Sequence, residues 1–158
     1  MSGEQPPPDL SAVRVELVSF EVSRPLRMAV LRPGDPPERP MYPREADPTT
    51  AHVAALGPAG EVLSVGSVMA DPHPLDPAEG DWRLRGMATR PELRGLGLGA
   101  LVLARCQQHA LEHGARRLWC NARIGALSFY ERAGMRTEGE EFEIPGIGPH
   151  YLMSKPLP

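Results

Sequence analysis

A strand pattern, a glycine-rich turn and an amphipathic helix follow one another from Trp82 to Gly114, and this succession restricts the possible folds most strongly. The stretch WRLRGMAT (Trp82–Thr89) alternates as a strand does. Its two predicted faces carry Trp82, Leu84, Gly86 and Ala88 on one side, and Arg83, Arg85, Met87 and Thr89 on the other. A glycine inside a strand is typical of a β-bulge or of a close approach by another backbone or a ligand, so we expect one at Gly86.

The glycine-rich turn RGLGLGA (Arg94–Ala100) leads into the stretch LGALVLARCQQHALEHG, which has a helical period. The predicted apolar face consists of Gly99, Val102, Leu103, Cys106 and Ala110. Gly114 is expected to end this helix at its C′ position. His109 and His113 have a spacing compatible with a metal, but no third ligand is evident, and we expect a solvated face and no metal site.

The rest of the chain supplies the other elements. Val13–Phe20 has a strand pattern, and we expect the next helix to begin near Ser23 and Pro25 and to stop at Pro33-Gly34. The full order is β-α-β-β-β-α-β-α-β-β, which predicts an α/β (α+β) fold with a mixed sheet covered by helices. Residues 1–11 are predicted to be a flexible tail, and 12–158 a single domain.

Composition limits the class of protein. A net charge of −3 gives no basic field for nucleic acid. No apolar run reaches the ~20 residues that span a bilayer, and the N-terminus has no signal-peptide pattern. Cys106 and Cys120 are expected to be reduced and buried, without a disulfide. We therefore expect a cytoplasmic protein with no nucleic-acid or membrane partner.

The glycine-rich turn is a candidate anion site. The first turn of a helix carries free N–H donors, and glycines let a phosphate approach them. The dinucleotide-binding pattern fits poorly, because the turn after the strand is too long and no acidic residue ends the next strand. A Walker loop lacks its Lys-Ser/Thr pair. A helix start packed tightly on a sheet, without a ligand, remains an alternative.

Two motifs that follow one another in the sequence resemble motifs of a known enzyme superfamily. GMATRPELRGLGLGALVL resembles motif A of the GNAT acetyltransferase superfamily, in which Q/R-x-x-G-x-G/A joins a strand to a helix. Roughly 30 residues later, ALSFYERAGM resembles that superfamily's A-x-x-F-Y-x-x-x-G-F/M element. The resemblance covers residues 82–135 and implies the acyl-CoA N-acyltransferase fold, with about six to seven strands and about four helices.

The resemblance also implies acetyl-CoA as the donor. Its pyrophosphate would bind beside Arg94, on the amides of Gly95, Leu96, Gly97, Leu98, Gly99 and Ala100. Its pantetheine arm would pair with the main chain of Met87, Ala88 and Thr89, beside a bulge at Gly86 that separates this strand from its neighbour. The second element would contribute Ala126, Phe129 and Tyr130. Where many members carry an Asn, this chain has Arg123, and Asn121 lies two residues earlier; either could contact the cofactor.

The implied reaction is direct transfer of an acetyl group to a neutral amine. The Met87 N–H is the candidate donor to the oxyanion, and Tyr130 occupies the position of the general acid. No Asp or Glu lies between Trp82 and Thr89, so the base is open, with His150 as one candidate. Another group of candidates acting through water comprises Glu140, Glu141 and Glu143.

The acceptor is expected to be the primary amine of a small molecule or of a peptide. The Asp35–Thr50 loop, the start of the Trp82 strand and the last hairpin would line its pocket, and Arg85 would favour an acceptor that carries a carboxylate. A CoA-binding sensor without turnover and a nucleotide-binding module are the alternatives. A homodimer is possible, but no residue pattern locates its interface.

Overall fold

The computed structural model describes residues 9–36 and 41–158, which form a single seven-stranded sheet with helices on both faces. The strands are β1 (Arg14–Val18), β2 (Ala51–Leu56), β3 (Val62–Ala70), β4 (Asp81–Thr89), β5 (Arg117–Arg123), β6 (Arg136–Ile144) and β7 (Gly148–Pro156). The helices are α1 (Phe20–Leu31), α2 (Leu98–Glu112) and α3 (Leu127–Arg132). None of the described helices combines the length and the apolarity needed to cross a membrane.

The strands lie in the order β1-β2-β3-β4-β5-β7-β6, and only the β4–β5 pair is parallel. This confirms the predicted mixed sheet and the order of elements along the chain. The expectation of about four helices is wrong for the described residues, which contain three α-helices and three short 3-10 turns. The long Pro-rich segments that join the strands provide turns instead of a fourth helix.

Helix α1 begins earlier than predicted. Ser19 is its N-cap, and the Ser19 hydroxyl accepts a hydrogen bond from the Val22 N–H at 3.4 Å. Two start signals compete in this sequence, and the cap at Ser19 prevails because it satisfies a free N–H of the first turn. Pro25 therefore lies inside the helix, and Phe20 belongs to α1 and not to the preceding strand.

The predicted tail is only partly described. Residues 1–8 lie outside the described residues, but Leu10–Ala12 form a 3-10 turn. The Asp9 carboxylate caps this turn by accepting from the Ser11 N–H at 3.0 Å. The end of the segment expected to be flexible thus has local structure.

Two apolar clusters hold the helices against the sheet. The larger one joins α2 and α3 to the sheet and includes both cysteines, while the smaller one lies under α1 and includes Ala88. Burial raises the pKa of the Cys106 and Cys120 thiols to about 12, so both stay protonated. They are structural side chains that pack as small apolar groups.

Strand β4 carries the predicted bulge. Val65 pairs with Ala88 and Ser67 with Arg85, so Gly66 on β3 faces two residues, Gly86 and Met87. Gly86 has a φ of +62°, which favours glycine. An extra residue in a strand moves every side chain after it to the opposite face of the sheet.

The predicted faces of β4 are therefore wrong beyond Leu84. Trp82, Leu84 and Met87 face α2, whereas Gly86 and Ala88 face α1. The bulge alone accounts for this change. It places the Met87 side chain in the space opposite Gly66 on the α2 face.

Strands β4 and β5 separate just before the bulge. Their parallel pairing covers only three positions, from Asp81 with Arg117 to Arg83 with Trp119. From Leu84 onward, the edge of β4 that faces β5 is open. Asp81 closes the narrow end of this gap, since its carboxylate accepts from Arg117 Nε at 2.8 Å and from the Ala78 N–H at 2.8 Å.

Asp81 is expected to stabilise the fold down to acid pH. Burial opposes its ionisation, but hydrogen bonds from Arg117 and from two main-chain N–H groups outweigh burial and lower the pKa to about 2. Because the pKa of the folded state lies below the ordinary 3.8, the stabilisation is present above that value and is lost as the pH falls toward 2. Asp81→Asn should lower the free energy of unfolding by about 1–3 kcal/mol at neutral pH, measured by urea denaturation.

Asp76→Asn is the matched control, because Asp76 contacts the same arginine with its side chain 84% exposed. Its effect should stay within about 0.5 kcal/mol. Equal losses in the two variants at neutral pH, or a deficit of Asp81→Asn that does not shrink at acid pH, would contradict this role for Asp81.

Candidate active site

The glycine-rich turn forms an open cradle at the start of α2. Gly97 is the N-cap of the helix with a φ of +86°, and Gly95 has a φ of +83°. A Cβ atom at either glycine would meet no atom within 4 Å. Because a glycine cap has no side chain to accept from the first-turn N–H groups, these donors are available to an anion.

The other residues of the turn have different parts in this cradle. Arg94, Leu96 and Ala100 are exposed, and among the described residues the Arg94 side chain has no partner. Leu98 is 1% exposed and packs in the larger cluster, so only its main-chain N–H can face a ligand. The cradle is therefore built from backbone N–H groups, with the long, positively charged side chain of Arg94 beside it.

The open end of β4 leads to this cradle. Thr89 at its end donates to or accepts from the Ser64 hydroxyl at 2.8 Å, while the Met87 side chain packs toward Val102. The side chains of Met87 and Ala88 are turned into the two clusters, so a ligand along this edge would meet main-chain groups. Such an edge can pair with an extended chain of amides.

Helix α3 covers the same region. Phe129 lies against the start of α2, where a Cβ on Gly99 would be 3.2 Å from the Phe129 ring and 3.6 Å from the Thr89 hydroxyl. Ala126 is the N-cap of α3 and packs against the larger cluster. The structure thus brings the end of β4, the glycine-rich turn and the start of α3 together.

Tyr130 is 8% exposed, and its ring meets the Phe129 ring edge-on at 5.0 Å between centroids. Burial raises the pKa of its phenol far above the ordinary value, and the nearby Cys120 and Cys106 add to this effect. The phenol therefore keeps its proton at any physiological pH. A buried, protonated phenol is able to supply a proton to a base that forms beside it.

Asn121 and Arg123 share the α1 face of β5, because Leu118, Cys120 and Ala122 face the larger cluster. Asn121 is half-buried, and its amide makes no hydrogen bond with a described residue. Arg123 is exposed, and burial of its stem together with the positive charge of Arg32 lowers its pKa. Asn121 thus has the free amide near the gap, whereas Arg123 lies farther along the strand.

His150 on β7 lies opposite Arg123 in the register and is 4% exposed. Its Nδ1 donates to the Gly148 carbonyl at 2.7 Å, which leaves the lone pair on Nε2. The three other candidates on β6, Glu140, Glu141 and Glu143, are all exposed. Of these four groups, His150 is the one with a fixed orientation.

Among the described residues, no group of three His, Cys, Asp or Glu side chains is arranged to hold a metal ion. His109 and His113 stack on each other at 4.2 Å between ring centroids and contact the Trp82 ring. They are packed at the end of α2, so the expectation of a fully solvated face is only partly met.

A buried polar network on the α1 face is the main feature that sequence reasoning missed. Arg27 and Glu45 have fully buried side chains and form an ion pair at 3.1 Å. Arg27 Nε also donates to the Gly86 carbonyl at 3.0 Å, at the bulge itself. The signal in the sequence was an arginine within the apolar face of α1, between Leu26 and Met28.

The same network includes Ser67 and His52. The Arg27 guanidinium donates to the Ser67 hydroxyl at 2.6 Å, and this hydroxyl lies 2.6 Å from His52 Nδ1. His52 Nε2 donates to the Glu45 carbonyl at 2.7 Å. Burial and the charge of Arg27 lower the pKa of His52, so its ring is neutral and Nδ1 accepts from Ser67.

Two further arginines line the α1 face of β4. Arg83 lies over the Trp119 ring at 4.6 Å and pairs with Asp71 at 3.4 Å. Arg85 lies over the Tyr42 ring at 4.4 Å and forms no ion pair with a described residue. Burial and the neighbouring Arg83 lower the pKa of Arg85 to about 10, which still leaves it charged at neutral pH.

Comparisons with known proteins show the family of this chain. A sequence profile of the Acetyltransferase (GNAT) family matches residues 20–135. YitI of Bacillus subtilis (strain 168), an uncharacterized N-acetyltransferase, is 31% identical over 145 residues, which cover 92% of this chain and 97% of YitI.

Solved structures share the fold. The crystal structure of Escherichia coli ElaA superposes with a TM-score of 0.72 at 15% identity, covering 90% of this chain and 99% of ElaA. An aminoglycoside 6'-N-acetyltransferase complexed with coenzyme A has a TM-score of 0.68 at 14% identity, covering 92% of this chain and 98% of that one. The fold, the profile and the YitI match together establish that the chain belongs to the GNAT family of N-acetyltransferases.

Proposed function

We propose that this enzyme transfers an acetyl group from acetyl-CoA to the primary amine of a small molecule by direct attack. The observation that carries the proposal is that the glycine cradle, the end of β4 and helix α3, which carries the buried Tyr130, lie against one another. A pyrophosphate, a chain of amides and a leaving thiolate would be served by these three environments. The buried, reduced Cys106 and Cys120 suit a cytoplasmic enzyme.

The residues present fit acetyl-CoA. The pyrophosphate would accept hydrogen bonds from the N–H groups of Gly95–Ala100 and pair with Arg94. The pantetheine amides would pair with the main chain of Met87–Thr89, and Asn121 offers a free side-chain amide across the gap. Acetyl-CoA supplies the thioester that the amine attacks.

The chain's own groups would serve each stage of the transfer. The Met87 N–H would donate to the acetyl oxygen as it gains negative charge. A bond forms between the amine nitrogen and the acetyl carbon, the carbon–sulfur bond breaks, and its electron pair leaves on sulfur. Tyr130 would give its proton to that sulfur, and the amine would lose one proton to a base or to water.

Burial of Tyr130 bears on the proton transfer in two ways. The raised pKa makes the phenol a weaker acid than it is in water. However, a thiolate that leaves beside the phenol, in the same apolar surroundings, would also be a stronger base than it is in water, which favours the transfer.

His150 is our candidate for the base. Its fixed ring presents the Nε2 lone pair, and β7 borders the α1 face beside Arg123. A substrate ammonium could pass its proton to this nitrogen through a water molecule. The stretch Trp82–Thr89 of β4 carries arginines and no carboxylate, so a side chain that acts as the base would come from another strand.

The α1 face of β4 favours an acceptor that carries a carboxylate as well as the amine. Arg85 is half-buried, lies near Arg83 and has no carboxylate partner among the described residues. The buried Arg83 Nε also has no hydrogen-bond partner there. A partly desolvated cation without a carboxylate partner is unfavourable, and an anionic substrate group beside Arg85 would compensate it.

The function is tested by a screen of amines with acetyl-CoA and detection of the released thiol. Turnover of at least one small primary amine supports the proposal. Binding of acetyl-CoA without turnover on any amine would favour a sensor, and binding of NAD or ATP but not CoA would refute the assignment of the cradle.

Gly97→Glu should abolish acetyl-CoA binding, because it places bulk and negative charge where the pyrophosphate would lie. Isothermal titration calorimetry measures the loss. Gly114→Glu is the matched control, since Gly114 has a φ of +83° and equally open surroundings at the other end of α2. It introduces the same strain and charge but should leave the affinity unchanged. Equal affinities in both variants would contradict the assignment.

Tyr130→Phe should lower kcat by about 100-fold, a typical contribution of a general acid, while acetyl-CoA still binds. Steady-state kinetics and calorimetry separate the two effects. Phe129→Leu is the companion variant: it alters the adjacent ring without removing a proton donor, so its kcat should exceed that of Tyr130→Phe. A Tyr130→Phe variant with the full rate would move the acid to another group.

Arg85→Gln should raise the KM of a carboxylate-bearing amine by about 10-fold or more, because a charge-assisted hydrogen bond is lost. The comparison uses an amino acid and the amine formed by its decarboxylation. Only the amino acid should be affected, and Arg116→Gln, an exposed arginine outside the gap, should change neither KM. An equal change for both amines would show that Arg85 does not bind the carboxylate.

A further inference from the structure

The peptide unit between Gly86 and Met87 is held from both faces of the sheet. On the α1 face, Arg27 Nε donates to the Gly86 carbonyl at 3.0 Å. On the α2 face, the Met87 side chain fills the space opposite Gly66, where a Cβ would lie 2.4 Å from Met87 Sδ. A Cβ on Gly86 would in turn lie 2.4 Å from Arg27 Nε. Both contacts therefore require glycine.

The geometry of this peptide links Arg27 to the reaction. No described peptide bond is cis, and in a trans peptide the C=O and the N–H point in opposite directions. Holding the Gly86 oxygen toward Arg27 therefore turns the Met87 N–H away from it. A charge-assisted hydrogen bond to the oxygen also polarises the whole unit, which makes its N–H a stronger donor.

We infer that Arg27 is a positioning residue for acetyl transfer, which fixes and polarises the Gly86–Met87 peptide so that the Met87 N–H meets the acetyl oxygen. This inference rests on the proposed function and goes beyond it, because Arg27 touches neither substrate. The bulge alone determines where the extra residue of β4 lies. The Arg27 guanidinium determines the orientation of the Gly86–Met87 peptide plane within the bulge.

A network of hydrogen bonds with three elements of the fold, besides β4, holds Arg27 in place. Its guanidinium donates to Ser23 at 3.2 Å, to Glu45 at 3.1 Å and to Ser67 at 2.6 Å in addition to Gly86. These partners come from α1, the 41–50 loop and β3, so the cation cannot swing away from the bulge. Glu45 also accepts from the Met41 N–H, which ties the loop to the same point.

Buried ion pairs of this kind add little net stability compared with apolar residues of the same volume. The desolvation of the two charges is offset by a functional gain where a group must be held in one orientation. The position of Arg27 beside the one peptide whose direction matters for the transfer supplies such a reason.

The test uses acetyl-CoA labelled with ¹³C at the acetyl carbonyl and bound to the full-length protein. Infrared difference spectra report the carbonyl stretch, which falls in frequency when an N–H donates to the oxygen. In Arg27→Lys this fall should be at least halved, since lysine lacks the planar fork that reaches Gly86 and Ser67 together. We expect kcat to drop about 10- to 100-fold while the affinity for acetyl-CoA changes less than about twofold.

Asp81→Asn is the control for destabilisation. It breaks the ion pair of a buried carboxylate on β4, the strand that carries Gly86, yet it should leave the carbonyl frequency as in the wild type. If Arg27→Lys does not fold, Ser67→Ala decides, because it removes one acceptor of the guanidinium and keeps the ion pair; several-fold lower kcat with a smaller frequency shift is expected.

A folded Arg27→Lys protein with the wild-type frequency and kcat would overturn the inference. So would an unchanged Ser67→Ala protein where Arg27→Lys cannot be studied. The proposed function has a different refuting outcome. Binding of acetyl-CoA without turnover on any amine would refute it, while the infrared measurement would still report on the role of Arg27.

Discussion

The hydrogen bond from Arg27 to the Gly86 carbonyl is the interaction on which the rest of the site depends. It joins α1 to the inserted residue of β4, and the insertion decides which side chains of that strand face which helix. Without the bulge, Met87 would face α1 and Ala88 would face α2. The separation of β4 from β5 begins on the same strand, at Leu84, so the gap and the bulge lie side by side.

The bulge also divides the molecule into two kinds of surface. On the cradle side, main-chain N–H groups of the glycine-rich turn and the open edge of β4 are exposed to a ligand, while the Leu98 and Met87 side chains pack in the core. On the α1 face, side chains form the surface, including Arg83, Arg85 and Asn121. The proposed donor would thus be recognised through backbone and the proposed acceptor through side chains.

Much of this arrangement could be predicted from the sequence, because it depends on local patterns. The order of strands and helices follows from periodicity, and the bulge and the cradle follow from Gly86, Gly95 and Gly97. The predicted start of α1 was wrong because Ser19 and Ser23 are both residues that favour the N-cap position. The Arg27–Glu45 pair could not be predicted, since its partners are 18 residues apart and no periodic pattern relates them.

The backbone character of the cradle has an evolutionary consequence. A ligand that is held by main-chain N–H groups depends on the glycines and on the path of the chain, and hardly on the neighbouring side chains. Substitutions on the α1 face can then accumulate without loss of the donor, provided that the buried arginine and its partners remain. A fold built in this way can change its acceptor through a few exchanges on one surface, which makes it a favourable starting point for engineering new amine specificities.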